Sequence, residues 1–99
     1  MENIYERALR TWGKVPQMLQ CIEEMSELIK EILKDVNRHK DNLSEIVEET
    51  ADVEIMLEQL KYCYGIHQQV EEYKQGKLLK IAKRLDDWDR EHDNTIAGN

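Results

Sequence analysis

The sequence predicts an all-α protein, on three observations. Apolar residues recur at the three-and-four spacing of helices over two long stretches, Met18 to Val36 and Leu43 to Tyr64. Residues that start or stop helices bracket these stretches: Asn3, Pro16 and Asn42 on one side, Gly13 and Gly65 on the other. The composition, 40% hydrophobic and 35% charged with one Pro, four Gly and no Phe, suits a small helical protein better than a β-sandwich or a disordered chain. Ninety-nine residues make one domain, with a core modest enough that self-association would help it.

The first element is a short helix carrying Ile4, Ala8, Leu9 and Trp12, capped by Asn3 and ended by Gly13 in the left-handed conformation that glycine tolerates. Val15-Pro16 opens the second helix, which extends from 16 to about 37, because proline at the first helical position gives up an N–H that has no partner there. Its stripe of Met18, Cys21, Ile22, Met25, Leu28, Ile29, Ile32, Leu33 and Val36 is expected to be buried. The polar run Asn37 to Asp41 connects it to a third helix, for which Asn42 and Glu45 match a capping box and Gly65 is the stop. A fourth helix from Ile66 to about Trp88 turns Val70, Tyr73, Leu78, Ile81, Leu85 and Trp88 inward, with an irregularity expected at Gly76. The short helix and three longer antiparallel ones then form one helical bundle over residues 1–88, and the polar residues 89–99 are expected to be a frayed or disordered tail.

Two stretches of this frame carry chemistry. Ile22-Glu23-Glu24-Met25-Ser26-Glu27-Leu28 and Glu48-Glu49-Thr50-Ala51-Asp52-Val53 each set two carboxylates three residues apart, about 60° apart on one helix face. Packed antiparallel, the two helices could converge Glu24, Glu27, Glu49 and Asp52 on a hard divalent cation such as Mg²⁺, with positions left for water and phosphate oxygens. Taken alone, the stripe Gln20, Glu24, Glu27 and Glu31 reads as a solvated face. Glu49 differs, because at about 100° per residue it falls inside the apolar arc of its helix, with Asp52 and Glu45 along the same edge. A carboxylate aimed at a core must be paired, protonated or bound to metal. An ion pair with a basic residue of the fourth helix, protonation at neutral pH and metal ligation therefore compete, and the matching pair on the preceding helix favours metal.

The pattern Glu23-Glu24-x-x-Glu27, followed after 21 residues by Glu49-x-x-Asp52, resembles the signature of the MazG-like all-α nucleoside triphosphate pyrophosphohydrolases. The similarity runs from about Trp12 to Trp88. The resemblance implies a MazG-like helical bundle that uses Mg²⁺, with Mn²⁺ as a substitute, to cleave a (d)NTP into the monophosphate and pyrophosphate. It assigns Glu24, Glu27, Glu49 and Asp52 to the metal, and implies a homodimer or homotetramer. Lys77-Leu78-Leu79-Lys80 resembles the Lys-apolar-x-basic stretch that follows the acidic motifs in that family, which gives Lys77 and Lys80 a role at the substrate phosphates. By spacing alone Lys77 continues Ile66, Val70 and Tyr73 toward the apolar side, where snorkelling along the core edge is the plainer explanation. Lys83 and Arg84 are weaker candidates, and Glu23, Glu31 and Glu45 are candidates for a general base or a supporting role.

Other functions fit the sequence less well. A formal net charge of −7 opposes sequence-independent nucleic-acid binding, which needs a basic stripe. No window approaches about 18 apolar residues and the first residues lack an apolar segment, so a soluble cytoplasmic protein is expected, without a membrane partner. Cys21 and Cys63 are too few for a disulfide framework and read as buried reduced thiols. There is no glycine-rich phosphate loop, no Gly-x-Ser-x-Gly elbow and no Cys/His zinc spacing, and His39, His67 and His92 stand far apart on polar stretches. Trp12 and Trp88 could stack on a base, though tryptophan near a helix end is more often a core plug. Two rivals to the enzyme remain: a non-catalytic helical oligomerisation or interaction module, and a metal or nucleotide sensor built on the same acids.

Overall fold

The computed structural model describes residues 1–97, which form four α-helices and, among the described residues, no strand. Helix α1 spans Ile4–Trp12 and starts on a complete capping box: the Asn3 side chain accepts from the Glu6 N–H at 2.9 Å, and the Glu6 carboxylate accepts from the Asn3 N–H at 3.3 Å. Gly13 ends it by donating its N–H to the Leu9 carbonyl at 2.8 Å. Its φ of 87° and ψ of 166° are not the left-handed helical conformation expected, but an extended positive-φ state open essentially only to glycine.

That conformation lets Gly13 end α1 and begin α2 at once. Helix α2 spans Lys14–Arg38, so it starts two residues before Pro16 and the proline occupies the third helical position rather than the first. The missing N–H is harmless there too, since the whole first turn lacks intrahelical acceptors. At its other end the chain leaves α2 through His39, a non-glycine residue at φ 52°, whose N–H reaches the Asp35 carbonyl at 3.1 Å. Four residues, 39–42, connect to helix α3, Leu43–Tyr64, which Gly65 stops in the left-handed conformation. The capping box expected at Asn42 and Glu45 does not form: Glu45 accepts from the Ser44 hydroxyl, and the Asn42 side chain turns back to α2.

The chain divides into two compact units, one spanning Met1–Gly65 and one beginning at Ile66. In the first, α2 and α3 form an antiparallel hairpin around Cys21, Val53 and Met56, the buried apolar side chains of the described residues. Helix α1 is fastened to α3 by polar contacts. Gln59, 2% exposed, donates from Nε2 to the Tyr5 carbonyl at 3.0 Å; Asn3 donates from Nδ2 to the Tyr62 hydroxyl at 2.7 Å; the Tyr5 and Tyr62 rings stack at 5.4 Å. The broad stripe expected to be buried on α2 is only partly so. Cys21 is enclosed, while Ile22, Ile29, Ile32, Leu33 and Val36 remain exposed, because one partner helix covers a narrower arc than that stripe spans.

The second unit is helix α4, His67–Ala97. It passes through Gly76 without interruption and continues well beyond Trp88, where a frayed tail was expected; residues 98–99 of that tail lie outside the described residues. Side-chain pairs one turn apart support the polar extension: Asp87 accepts from both Lys83 and Arg90, and the His92 ring stacks on Trp88 at 3.6 Å. Tyr73, Leu78, Ile81, Leu85 and Trp88, expected inward, are exposed. No helix among the described residues is long and apolar enough to cross a membrane.

Candidate metal centre

The α2–α3 hairpin brings three of the four expected carboxylates together. Glu24 projects from α2, and Glu49 and Asp52 project from one face of α3, so that one carboxylate oxygen of each lies within 4.8 Å of the others. All three side chains are half-buried, which leaves the cluster open to solvent on one side. Glu27 is not part of this group. Its side chain is exposed, although its charge still acts on Glu49. Two residues about 60° apart straddle the edge of the helix interface, and Glu24 is the one turned toward α3.

Glu49 is the focus of the cluster. Its Oε2 is buried without a hydrogen-bond partner, and no basic side chain of the first unit pairs with it. Burial pushes its carboxyl above the ordinary range, and the charges of Glu24 and Asp52, a hydrogen bond with Glu24 and the charge of Glu27 push it the same way. Glu24 is fixed in turn by Gln20, whose Nε2 donates to Oε1 at 2.7 Å. Hard, anionic oxygen donors on half-buried side chains, one of them with an unmet lone pair, suit a divalent cation of the Mg²⁺ or Mn²⁺ type. The donor set fits such an ion.

The remaining candidates are elsewhere. Glu31 is 7% exposed and held by Lys34 at 2.9 Å and by Asn42, partners that hold its carboxyl below the ordinary range, so it is not available as a base. Glu23 and Glu45 are exposed. Lys77 and Lys80 stand one turn apart on α4, both exposed, with the Lys77 ammonium 5.6 Å from the Tyr73 ring centre. Lys83 is engaged by Asp87.

One feature beside the acids escaped the sequence reading. A cavity of about 560 Å³ opens between α1, α2 and α3, lined by Tyr5, Trp12, Gln17, Gln20, Ile55 and Met56 among others. Gln20 links it to the cluster, since the same amide that lines the cavity holds Glu24. Trp12 is 64% exposed on its wall and is therefore no core plug. The signal was present in the spacing of Gln17, Gln20 and Glu24 along one face of α2, but only the docking of α1 gives that face a wall.

Comparison with protein-family models, with curated proteins and with solved structures finds no match to this chain. A functional reading therefore rests on the two acidic half-motifs and on the geometry they adopt.

Proposed function

We propose that the chain is a divalent-cation-dependent nucleoside triphosphate pyrophosphohydrolase, the activity implied by its resemblance to the MazG-like enzymes. The observation that carries the proposal is the convergence of Glu24, Glu49 and Asp52 with an unpartnered buried oxygen on Glu49. A structural acid would be expected to have a basic partner there and no buried oxygen left unmet, and a scaffold has no use for like charges brought together. Glu24, Glu49 and Asp52 would hold the cation, with Glu27 at the rim available to a second ion or to bound water. When bound, Mg²⁺ supplies Lewis-acid polarisation of phosphate oxygens and a more acidic water.

The protein's own groups do the rest. The half-buried setting of the acids would shield bound phosphate from part of the surrounding water. The adjoining cavity, with aromatic walls and the amides of Gln17 and Gln20, has the size and chemistry for a nucleoside. The resemblance alone would give Lys77 and Lys80 a role at the substrate phosphates. Water adds to the α-phosphorus, the bond to the oxygen bridging the α- and β-phosphorus atoms breaks, and the products are the monophosphate and pyrophosphate. The exposed apolar side chains of α2, α3 and α4 support assembly as a homodimer or homotetramer.

Those same exposed side chains favour the second reading, a non-catalytic oligomerisation module. One assay decides between them: incubation with a panel of canonical and modified (d)NTPs and Mg²⁺, with detection of pyrophosphate. Release from at least one triphosphate, abolished by EDTA, is expected. Where no triphosphate is turned over, a separate Mn²⁺ titration divides the rest: binding would indicate a sensor, and no binding would leave the module.

A further inference from the structure

At the turn end of the hairpin a second polar contact joins α2 to α3. Asn42 is 7% exposed and donates from Nδ2 both to the Glu31 carbonyl at 2.9 Å and to the Glu31 Oε1 at 3.2 Å. Lys34 donates to the other oxygen of the Glu31 carboxylate at 2.9 Å. Asn42 Oδ1 is buried with no partner, so the contact leaves one acceptor unmet. Turning the amide over would remove that defect only by setting Oδ1 against two acceptors. Asn42 also forgoes the capping of α3 that its position offers, which is a second sign that its side chain is committed to α2.

The position of this contact relates it to the acids. Glu31 follows Glu24 by seven residues on α2, and Asn42, immediately before α3, precedes Glu49 by seven. Seven residues are close to two turns, so in an antiparallel pair the two contacts lie on the same seam, roughly 10 Å apart along it. A slip of one residue between the helices would turn α3 by about 100° relative to its partner position and bring Glu48 or Thr50 opposite Glu24. The apolar part of the interface resists such a slip weakly, since Cys21, Val53 and Met56 are its only buried apolar members among the described residues. A buried asparagine that fixes register at some cost in stability is a known device where helices pair along an apolar seam.

We propose that Asn42 and Glu31 are positioning residues, a register lock that sets Glu49 and Asp52 opposite Glu24; the proposal rests on the reading of those acids as a cation site. Neither residue touches the cation or the substrate. The lock acts through the helix pair.

The test measures Mn²⁺ affinity by electron paramagnetic resonance on the full chain, well below the unfolding temperature. Asn42→Ala removes both hydrogen bonds and should weaken Mn²⁺ binding about tenfold or more, as loss of groups that orient metal ligands commonly does. Glu31→Ala, which keeps the carbonyl acceptor but loses Oε1, should weaken it in the same direction and decides the matter if Asn42→Ala does not fold. Glu31→Gln still offers an oxygen to Asn42 and should bind like the parent. Asn3→Ala is the control for stability alone, because it loses a helix cap and the bond to Tyr62 away from the turn, and its Mn²⁺ affinity should be unchanged. If folded Asn42→Ala and Glu31→Ala bind Mn²⁺ as the parent does, the lock is overturned and the cation site stands. If Asn3→Ala weakens binding as much as Asn42→Ala does, the effect is general destabilisation and the lock is also overturned. If the parent itself fails to bind Mn²⁺, the cation site falls, and the lock with it.

Discussion

Glu49→Gln separates a metal ligand from a structural acid, because it keeps the side chain's shape and removes its charge. Without metal, the carboxyl of Glu49 titrates above the ordinary range, raised by its burial and then by Glu24 and Asp52. An acid whose pKa is higher in the folded than in the unfolded state contributes stability at low pH that is lost as pH rises through the folded value. At neutral pH the metal-free parent therefore carries a repulsion that the variant lacks, and metal-free Glu49→Gln should melt at the higher temperature. Added cation reverses the order. A ligand at a hundred times its Kd stabilises the folded state by about 2.7 kcal/mol. In a domain of this size each kcal/mol moves Tm by roughly 4–8 °C, so saturating Mg²⁺ or Mn²⁺ should raise the parent's Tm by roughly 10–20 °C. If the substitution weakens binding a hundredfold, the same cation concentration contributes only about 0.4 kcal/mol, a shift of roughly 2–3 °C. Thermal denaturation in EDTA and in millimolar Mg²⁺ reads both effects, with exposed Glu23→Gln as the control that should keep the parent's shift. A parent with the same Tm in both buffers, or a Glu49→Gln variant that keeps the full shift, would refute the assignment of the site.

Four further outcomes are expected. Lys77→Ala and Lys80→Ala should raise the KM for a triphosphate about tenfold while leaving the Mg²⁺-dependent Tm shift intact, and an unchanged KM would remove them from the phosphate site. Gln59→Ala should destabilise the protein by about 2–4 kcal/mol in urea titrations, through lost packing and a lost hydrogen bond to Tyr5; a loss under about 0.5 kcal/mol would mean that α1 is not held there. Glu31 titrates below the ordinary range because of Lys34 and Asn42, so the stability it contributes is present above the unfolded-state pKa and lost as pH falls through the folded one; Glu31→Gln should flatten the acid side of the stability profile, and a profile like the parent's would count against those contacts. Light scattering at micromolar concentration should give a dimer or tetramer mass, and a monomer mass would refute self-association.

Where a residue's own backbone chemistry decides, the sequence was legible. Asn3 with Glu6, Gly13 and Gly65 mark helix ends that hardly any tertiary contact could move. The placement of Glu49 was legible too, since projection at about 100° per residue depends only on helix geometry. Choices between two partners were not. Asn42 fits a capping pattern with Glu45, yet across the turn Glu31 offers a carbonyl and a carboxylate at once, and a contact from another helix is invisible in local spacing. By spacing Glu24 sits closest to the apolar border of its helix, yet both Glu24 and Glu27 are expected at the metal, and only the line along which α3 packs makes one a member of the cluster and leaves the other outside it. The length of α4 was underestimated because residues 89–95 are all polar, and the helix there is supported by pairs such as Asp87–Arg90 instead.

The four-residue turn between α2 and α3 also bears on the order in which the chain folds. It makes the acidic cluster local in sequence, with Glu24 and Asp52 in one hairpin, whereas α1 reaches α3 through Asn3–Tyr62 and Tyr5–Gln59, separated by 59 and 54 residues. Loop closure favours the nearer contacts, so the hairpin is expected to form first and α1 to dock onto it later. Repulsion among the carboxylates must then be overcome at the earliest step, before the cavity has a wall. A cation captured by the nascent hairpin would speed folding, and would do so before α1 had docked.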